Sequence, residues 1–296
     1  MDNKVCIFVF SLLLTALSST HAESKVLGDF SELKKISDGY RFTEGGARDA
    51  DGNIYFTDIP NGRIHKWNPK TQQVSLFARD SNGANGCWID REGNLIVCEG
   101  QGRVVAQYTP SGKRTVIAGS YNGKKFNSPN DLWLDLRGGI YFSDPRYGQN
   151  RDTMEMDGEH VYYISPTRDK IVQVTDDLVR PNGLIGTKDG RFLYVADHGG
   201  GKTWKYTIQK DGTLRRKTLF AEEGSDGFTL DQAGNLYLTT DKVRVYNSNG
   251  TLLESIETPK RPSNVAFGGE NRDLLFITAR DSVYFIRTKV KGASVN

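Results

Sequence analysis

The chain has 296 residues, 25% of them charged and 37% hydrophobic, with 32 glycines against 9 prolines. That balance excludes a wholly disordered or collagen-like chain and leaves room for one large domain or two small ones. Its 39 basic and 36 acidic residues give a formal net charge of +3 and form no long basic run, which argues against a nucleic-acid partner.

At the start, Lys4 precedes an apolar stretch from Val5 to Leu17, and Thr20 and Ala22 occupy the small-residue positions before a cleavage point. This pattern predicts a secretory leader over Met1 to Ala22, with export to the periplasm or medium. No later segment reaches the roughly 18 apolar residues of a membrane helix, so no membrane partner is expected. Cys6 would leave with the leader, and the two remaining cysteines are too few for a disulfide scaffold.

A hairpin motif then recurs along the chain: Asp49-Ala-Asp-Gly-Asn-Ile-Tyr-Phe56, Asp90-Arg-Glu-Gly-Asn-Leu-Ile-Val97, Asp135-Leu-Arg-Gly-Gly-Ile-Tyr-Phe142, Thr187-Lys-Asp-Gly-Arg-Phe-Leu-Tyr194 and Asp231-Gln-Ala-Gly-Asn-Leu-Tyr-Leu238. A degenerate sixth copy runs from Gly268 to Ile277. The turns fall at 52, 93, 138, 190, 234 and near 272, with spacings of 41, 45, 52, 44 and 38 residues. Two more strand-like runs follow each hairpin, as at Arg63 to Trp67 and Val74 to Ala78. Four-stranded units at this period predict an all-β, six-bladed β-propeller forming a single domain over 23–296. The last repeat lacks a fourth strand, which the run around Phe30 to Ile36 is expected to supply.

Eight residues before each turn stand Glu44, Asn85, Asn130, Asn182, Asp226 and Asn264, all with a side-chain oxygen. The first strand of a propeller blade lines the channel, so these six converge on one mouth. Asn-Gly and Asp-Gly turn chemistry would explain some of them but not Glu44. Two carboxylates and several amide oxygens, with no clustered Cys or His, suit one divalent cation. Calcium fits best, magnesium and manganese are also hard ions, and zinc is disfavoured.

The second strands end at Asp58, Glu99, Asp144, Asp197 and, one place later, Asp241. These residues either form an acidic collar that contacts the substrate or cap strand ends. His198 either lines the mouth or sits on a solvent-facing loop. Cys87 and Cys98 face one another across a hairpin if its turn has two residues, and separate if it has three, leaving a disulfide or two buried thiols open.

At Phe126-Asn-Ser-Pro-Asn-Asp131, Ile140-Tyr-Phe-Ser-Asp-Pro-Arg-Tyr-Gly148, Arg180-Pro-Asn-Gly183 and Ser225-Asp-Gly227, the sequence resembles the senescence marker protein, regucalcin and gluconolactonase family of six-bladed propellers. The resemblance implies a central divalent cation held by Glu44, Asn182 and Asp226, and hydrolysis of a sugar lactone. Asp226 would also act as base. Asn130 would orient the substrate, with Asp131, Asn85, Glu99 and His198 as further contacts. Two departures stand out: Glu44-Gly45-Gly46 replaces the usual Glu-Gly-Pro, and Glu99-Gly100 replaces the Glu-His of many bacterial members. The expected partner is a small lactone and the expected state a monomer. An esterase or phosphotriesterase, or a non-catalytic calcium-containing propeller, stays open beside the lactonase.

Overall fold

The computed structural model describes residues 25–147 and 151–293, so the expected leader lies outside the described residues. Turn chemistry sets the repeat. In four copies the leading aspartate accepts the backbone N–H of the residue four places on: Asp49 from Asn53 at 2.9 Å, Asp90 from Asn94 at 2.7 Å, Asp135 from Gly139 at 2.9 Å and Asp231 from Asn235 at 2.9 Å. Thr187 binds Phe192 N–H in the same way at 3.1 Å. The intervening glycines take positive φ, between 68° and 87°, a region closed to most side chains.

Each turn joins an inner strand to a fully or almost fully buried second strand, such as Ile54–Asp58, Leu95–Glu99 or Ile140–Asp144. A third and a half-exposed fourth strand complete each antiparallel sheet. The inner strands are Thr43–Arg48, Ala84–Ile89, Leu132–Leu134, Pro181–Gly186, Phe228–Leu230 and Asn264–Gly268, and each touches the next in a closed ring. The protein is a six-bladed β-propeller.

Apolar side chains fill the spaces between blades rather than one central core. Between blades six and one, Trp67 stacks on Phe276 at 5.7 Å between ring centroids. The closing strand is Lys34–Asp38, paired with Ser282–Arg287. It begins later than the expected run around Phe30, whose side chain is 99% exposed. The longest repeat spacings are also explained: a small hairpin, Ser120–Tyr121 with Lys124–Lys125, precedes blade three, and a long connection joins its second strand, ending at Asp144, to its third, starting at His160.

The Asp90 to Asn94 turn has three residues, with Gly93 N–H on the Asp90 carbonyl at 3.2 Å. Cys87 therefore lies opposite Val97, and Cys87 and Cys98 are buried free thiols.

Candidate active site

The inner strands are not regular at their starts. One extra residue is accommodated between Glu44 and Ala47, between Ala84 and Cys87, and between Pro181 and Leu184. In blade three, Asn130 N–H donates to Ser143 O at 2.9 Å while Ser143 N–H donates to Asp131 O at 3.0 Å, so two residues oppose one. Asp226 and Gly227 oppose Thr239 in the same way, at 3.1 and 3.4 Å. These bulges turn the strand starts toward the channel axis.

Glycines then let adjacent blades meet. Gly86 N–H donates to Asn130 O at 2.7 Å, and Gly183 N–H to Asp226 O at 2.8 Å. A Cβ on Gly227 would stand 2.0 Å from the Asn264 side chain, and one on Gly183 would stand 2.3 Å from Asp226 O. The Asn-Gly and Asp-Gly pairs thus serve close packing between blades, not tight turns. Gly46 has φ +156°, which proline cannot adopt, and a Cβ there would lie 2.7 Å from Ala266 Cβ. The departure from Glu-Gly-Pro is therefore built into this backbone.

The mouth gathers Glu44, Asp131, Asn182, Asp226 and Asn264. Asn264 Nδ2 donates to Glu44 Oε2 at 3.1 Å. Asn182 Nδ2 donates to Asp226 Oδ1 at 2.7 Å and to Tyr147 Oη at 2.8 Å. Both amide protons of Asn182 are thereby spent, and its Oδ1 accepts from no donor among the described residues. The side-chain amides of Asn85 and Asn130 take part in no hydrogen bond among the described residues.

Burial, followed by the charges of Asp226 and Asp131, pushes the Glu44 carboxyl well above the usual carboxylate range, against the pull of Asn264 and Gly45 N–H. Burial lifts Asp131 to about 7, opposed by hydrogen bonds from Leu132 N–H and Asn264. Asp226 is also raised by burial, with His198 and Asn182 pulling the other way. The charge of Arg261 also acts on Asp226, in the same direction as that of His198. Among the described residues no three His, Cys, Asp or Glu side chains stand close enough to hold a metal alone. The donor set instead mixes two carboxylates, Glu44 and Asp226, with the free Oδ1 of Asn182, all hard oxygens that fit a divalent cation of the calcium type.

Along one side of the mouth, Tyr147 is 39% exposed. The Arg180 guanidinium covers its ring at 5.3 Å and His198 meets it edge-on at 6.4 Å. His198 thus belongs to the wall of the mouth, with Nδ1 3.3 Å from Ser225 O. Tyr147 was legible only as part of a motif; its place three residues beyond the second strand of blade three was the available signal.

Glu99 is a correction. Its carboxylate is fully buried and bound by Arg114 at 2.7 and 2.6 Å, Tyr108 Oη at 2.7 Å and Asn82 Nδ2 at 3.1 Å, leaving nothing to offer a substrate. Asp58, Asp144 and Asp197 likewise clamp the loops that lead into the inner strands, as when Asp144 accepts Asn127 and Ser128 N–H at 2.8 Å each. Asp241 is exposed and pairs with Arg244 at 3.0 Å. The collar caps strand ends, and at Asp58, Glu99, Asp144 and Asp197 it does so in the interior.

A family model described as "SMP-30/Gluconolactonase/LRE-like region" matches residues 42–281. The chain belongs to this family. A gluconolactonase from Zymomonas mobilis is 30% identical over 302 aligned residues, which cover 90% of this chain and 84% of the relative. The lactonase drp35 of Staphylococcus aureus is 24% identical, covering 72% of this chain and 68% of its own. The structure of a gluconolactonase from Xanthomonas campestris superposes with a TM-score of 0.83 at 29% identity, over 89% of this chain and 91% of that one. The relatives' names support a lactone hydrolase.

Proposed function

We propose that this chain is an exported, metal-dependent lactonase that opens a sugar lactone such as gluconolactone. The observation that carries the reading is the acidic mouth: Asp131 and Asp226 act electrostatically on Glu44 beside the free Oδ1 of Asn182, in a family whose named relatives act on lactones.

Glu44, Asn182 and Asp226 would hold the cation. When bound, it supplies Lewis-acid polarisation of the lactone carbonyl and stabilises the developing oxyanion. Asp226 accepts a proton from the attacking water, a task suited to a carboxyl that burial raises above its ordinary value. Asn182 holds Asp226 Oδ1 at 2.7 Å and so fixes which oxygen is free. The unspent amides of Asn85 and Asn130, at the starts of blades two and three, would bind ring hydroxyls. Asp131 stands behind Asn130, and Tyr147 and His198 form the side wall. Unspent amides suit a site that exchanges small molecules better than a sealed structural plug.

The test is acid release from a panel of lactones followed by pH-stat, with and without chelator, on wild type and Asp226→Ala. Turnover that stops in chelator and in the variant, with circular dichroism unchanged, is expected. No turnover of any lactone under any divalent cation refutes the enzyme reading, and full activity in chelator refutes the role of the metal. Export is tested separately by the mass of the mature protein, which should begin at Glu23.

A further inference from the structure

Beneath the carboxyl ring the inner strands enclose a cavity of about 110 Å³. Asp131 and Asn264 stand at its upper end, its walls include Leu184, Phe228, Val265 and Phe267, and Arg48 and Arg272 stand at the opposite end of the channel. Leu184, Phe228, Val265 and Phe267 also pack between blades, but lactone chemistry at the upper mouth does not use the chamber that they line or the charge of the two arginines.

Arg48 is fixed at the lower rim by three carbonyls: Gly269 at 3.1 Å, Asp49 at 2.9 Å and Glu270 at 3.4 Å. The Asp49 carboxylate is already bound to Lys66 at 2.8 Å. Burial and then the charge of Arg272 hold Arg48 below its ordinary value, with Asp49 and Asp51 opposing. Neither guanidinium is in an ion pair among the described residues. Two half-buried like charges therefore share the rim of a chamber whose walls are apolar only in part, and an anion placed between them would relieve their repulsion. Trp88 and Ala293, both partly exposed, line the same chamber, and the segment 291–293 is bonded to Leu230, Gln232 and Arg272 beside it.

We propose that this lower chamber binds a small monocarboxylate with an apolar body, its carboxylate on Arg48 and Arg272 and its hydrocarbon part between Leu184, Phe228, Val265 and Phe267. The chamber is smaller than the apolar cavity of about 150 Å³ that accepts benzene, so one ring or a short aliphatic chain is the upper limit for the body. Polyanions are disfavoured by the apolar walls and by Asp131 at the far end.

The test titrates the full chain with hexanoate and with benzoate by calorimetry in the presence of chelator, which keeps product-like carboxylates off a metal-loaded upper mouth. Hexanol and sulfate serve as controls. One saturable carboxylate site is expected, about tenfold weaker in Arg272→Gln, and blocked in Thr229→Tyr, which fills the chamber, with circular dichroism unchanged in both. The proposal is overturned if neither acid binds in chelator, if hexanol or sulfate binds as tightly, or if Arg272→Gln retains wild-type affinity. Binding that appears only with added calcium also overturns it, because the acid then sits at the upper mouth. None of these outcomes bears on lactone turnover, so this site and the lactonase reading stand or fall separately.

Discussion

Gly86→Ala puts the packing of the mouth to a direct test. The added Cβ would lie 2.2 Å from Asp131 Oδ1, 2.7 Å from Asp131 Cα and 2.8 Å from Asn130 O. Ordinary contact begins at 3.4 Å, so the shortfall is 1.2 Å at a carboxylate oxygen and 0.7 Å at a backbone atom. The carboxylate can rotate but the backbone cannot, and the 2.7 Å bond from Gly86 N–H to Asn130 O ties the two blades at that point. The start of blade three must therefore move outward by about 0.7 Å, carrying Asn130 and Asp131 with it. Overpacking of this kind costs about 1–3 kcal/mol, which lowers the melting temperature by about 2–10 °C in a domain of this size. A displacement approaching 1 Å at a reacting centre costs about 100-fold in rate. Thermal melts and kcat/KM on the best lactone should both fall. Wild-type values for both would refute the account of the glycines, and a lower melting temperature with full activity would place the chemistry away from Asn130 and Asp131.

Three further outcomes are expected. Tyr147→Phe frees one amide proton of Asn182 and should weaken calcium binding by calorimetry by about tenfold while the melting temperature of the metal-free protein changes little; unchanged affinity would remove Tyr147 as a positioning residue. Asp131 binds its proton more tightly folded, at about 7, than unfolded, near 3.8, so it withdraws stability as pH rises between those values. In chelator, melts of wild type minus Asp131→Asn should therefore fall from pH 4 to pH 7, and a flat or rising difference would refute the assignment. Glu99→Ala leaves Arg114 and Tyr108 without their shared acceptor and should cost about 3 kcal/mol by denaturant unfolding with KM unchanged; a raised KM at full stability would restore Glu99 to the substrate site.

The sixfold repeat was legible because its cause is local. An aspartate that accepts an N–H four residues on, with a glycine between, leaves its mark within one short stretch, as at Asp90 and Asn94. The convergence of Glu44, Asn182 and Asp226 was legible because equal offsets from those turns fall at equal depth in every blade. Partners brought in by other strands were not. The Arg114 guanidinium that occupies Glu99 comes from the outer strand of the same blade, and Tyr147 reaches Asn182 from the blade before. The separation of Cys87 from Cys98 rested on a single turn residue, since one added position moves every pairing. The lower chamber was hidden for a related reason: Arg48 and Arg272 lie at opposite ends of the chain and meet only when the ring is complete.

Closure of the ring has a consequence for how the molecule is made. Lys34 pairs with Phe285, so the contact that locks the ring joins the two extremes of the chain. Contacts so distant in sequence form slowly and late. Five blades can stack as the chain emerges, but they form an open arc with Ile54, Phe56 and Trp67 of blade one facing water until the last blade arrives. Synthesis thus passes through an adhesive stage that ends in a single clasp. A chain trimmed of either clasping strand would stay in that stage rather than settle as a smaller ring.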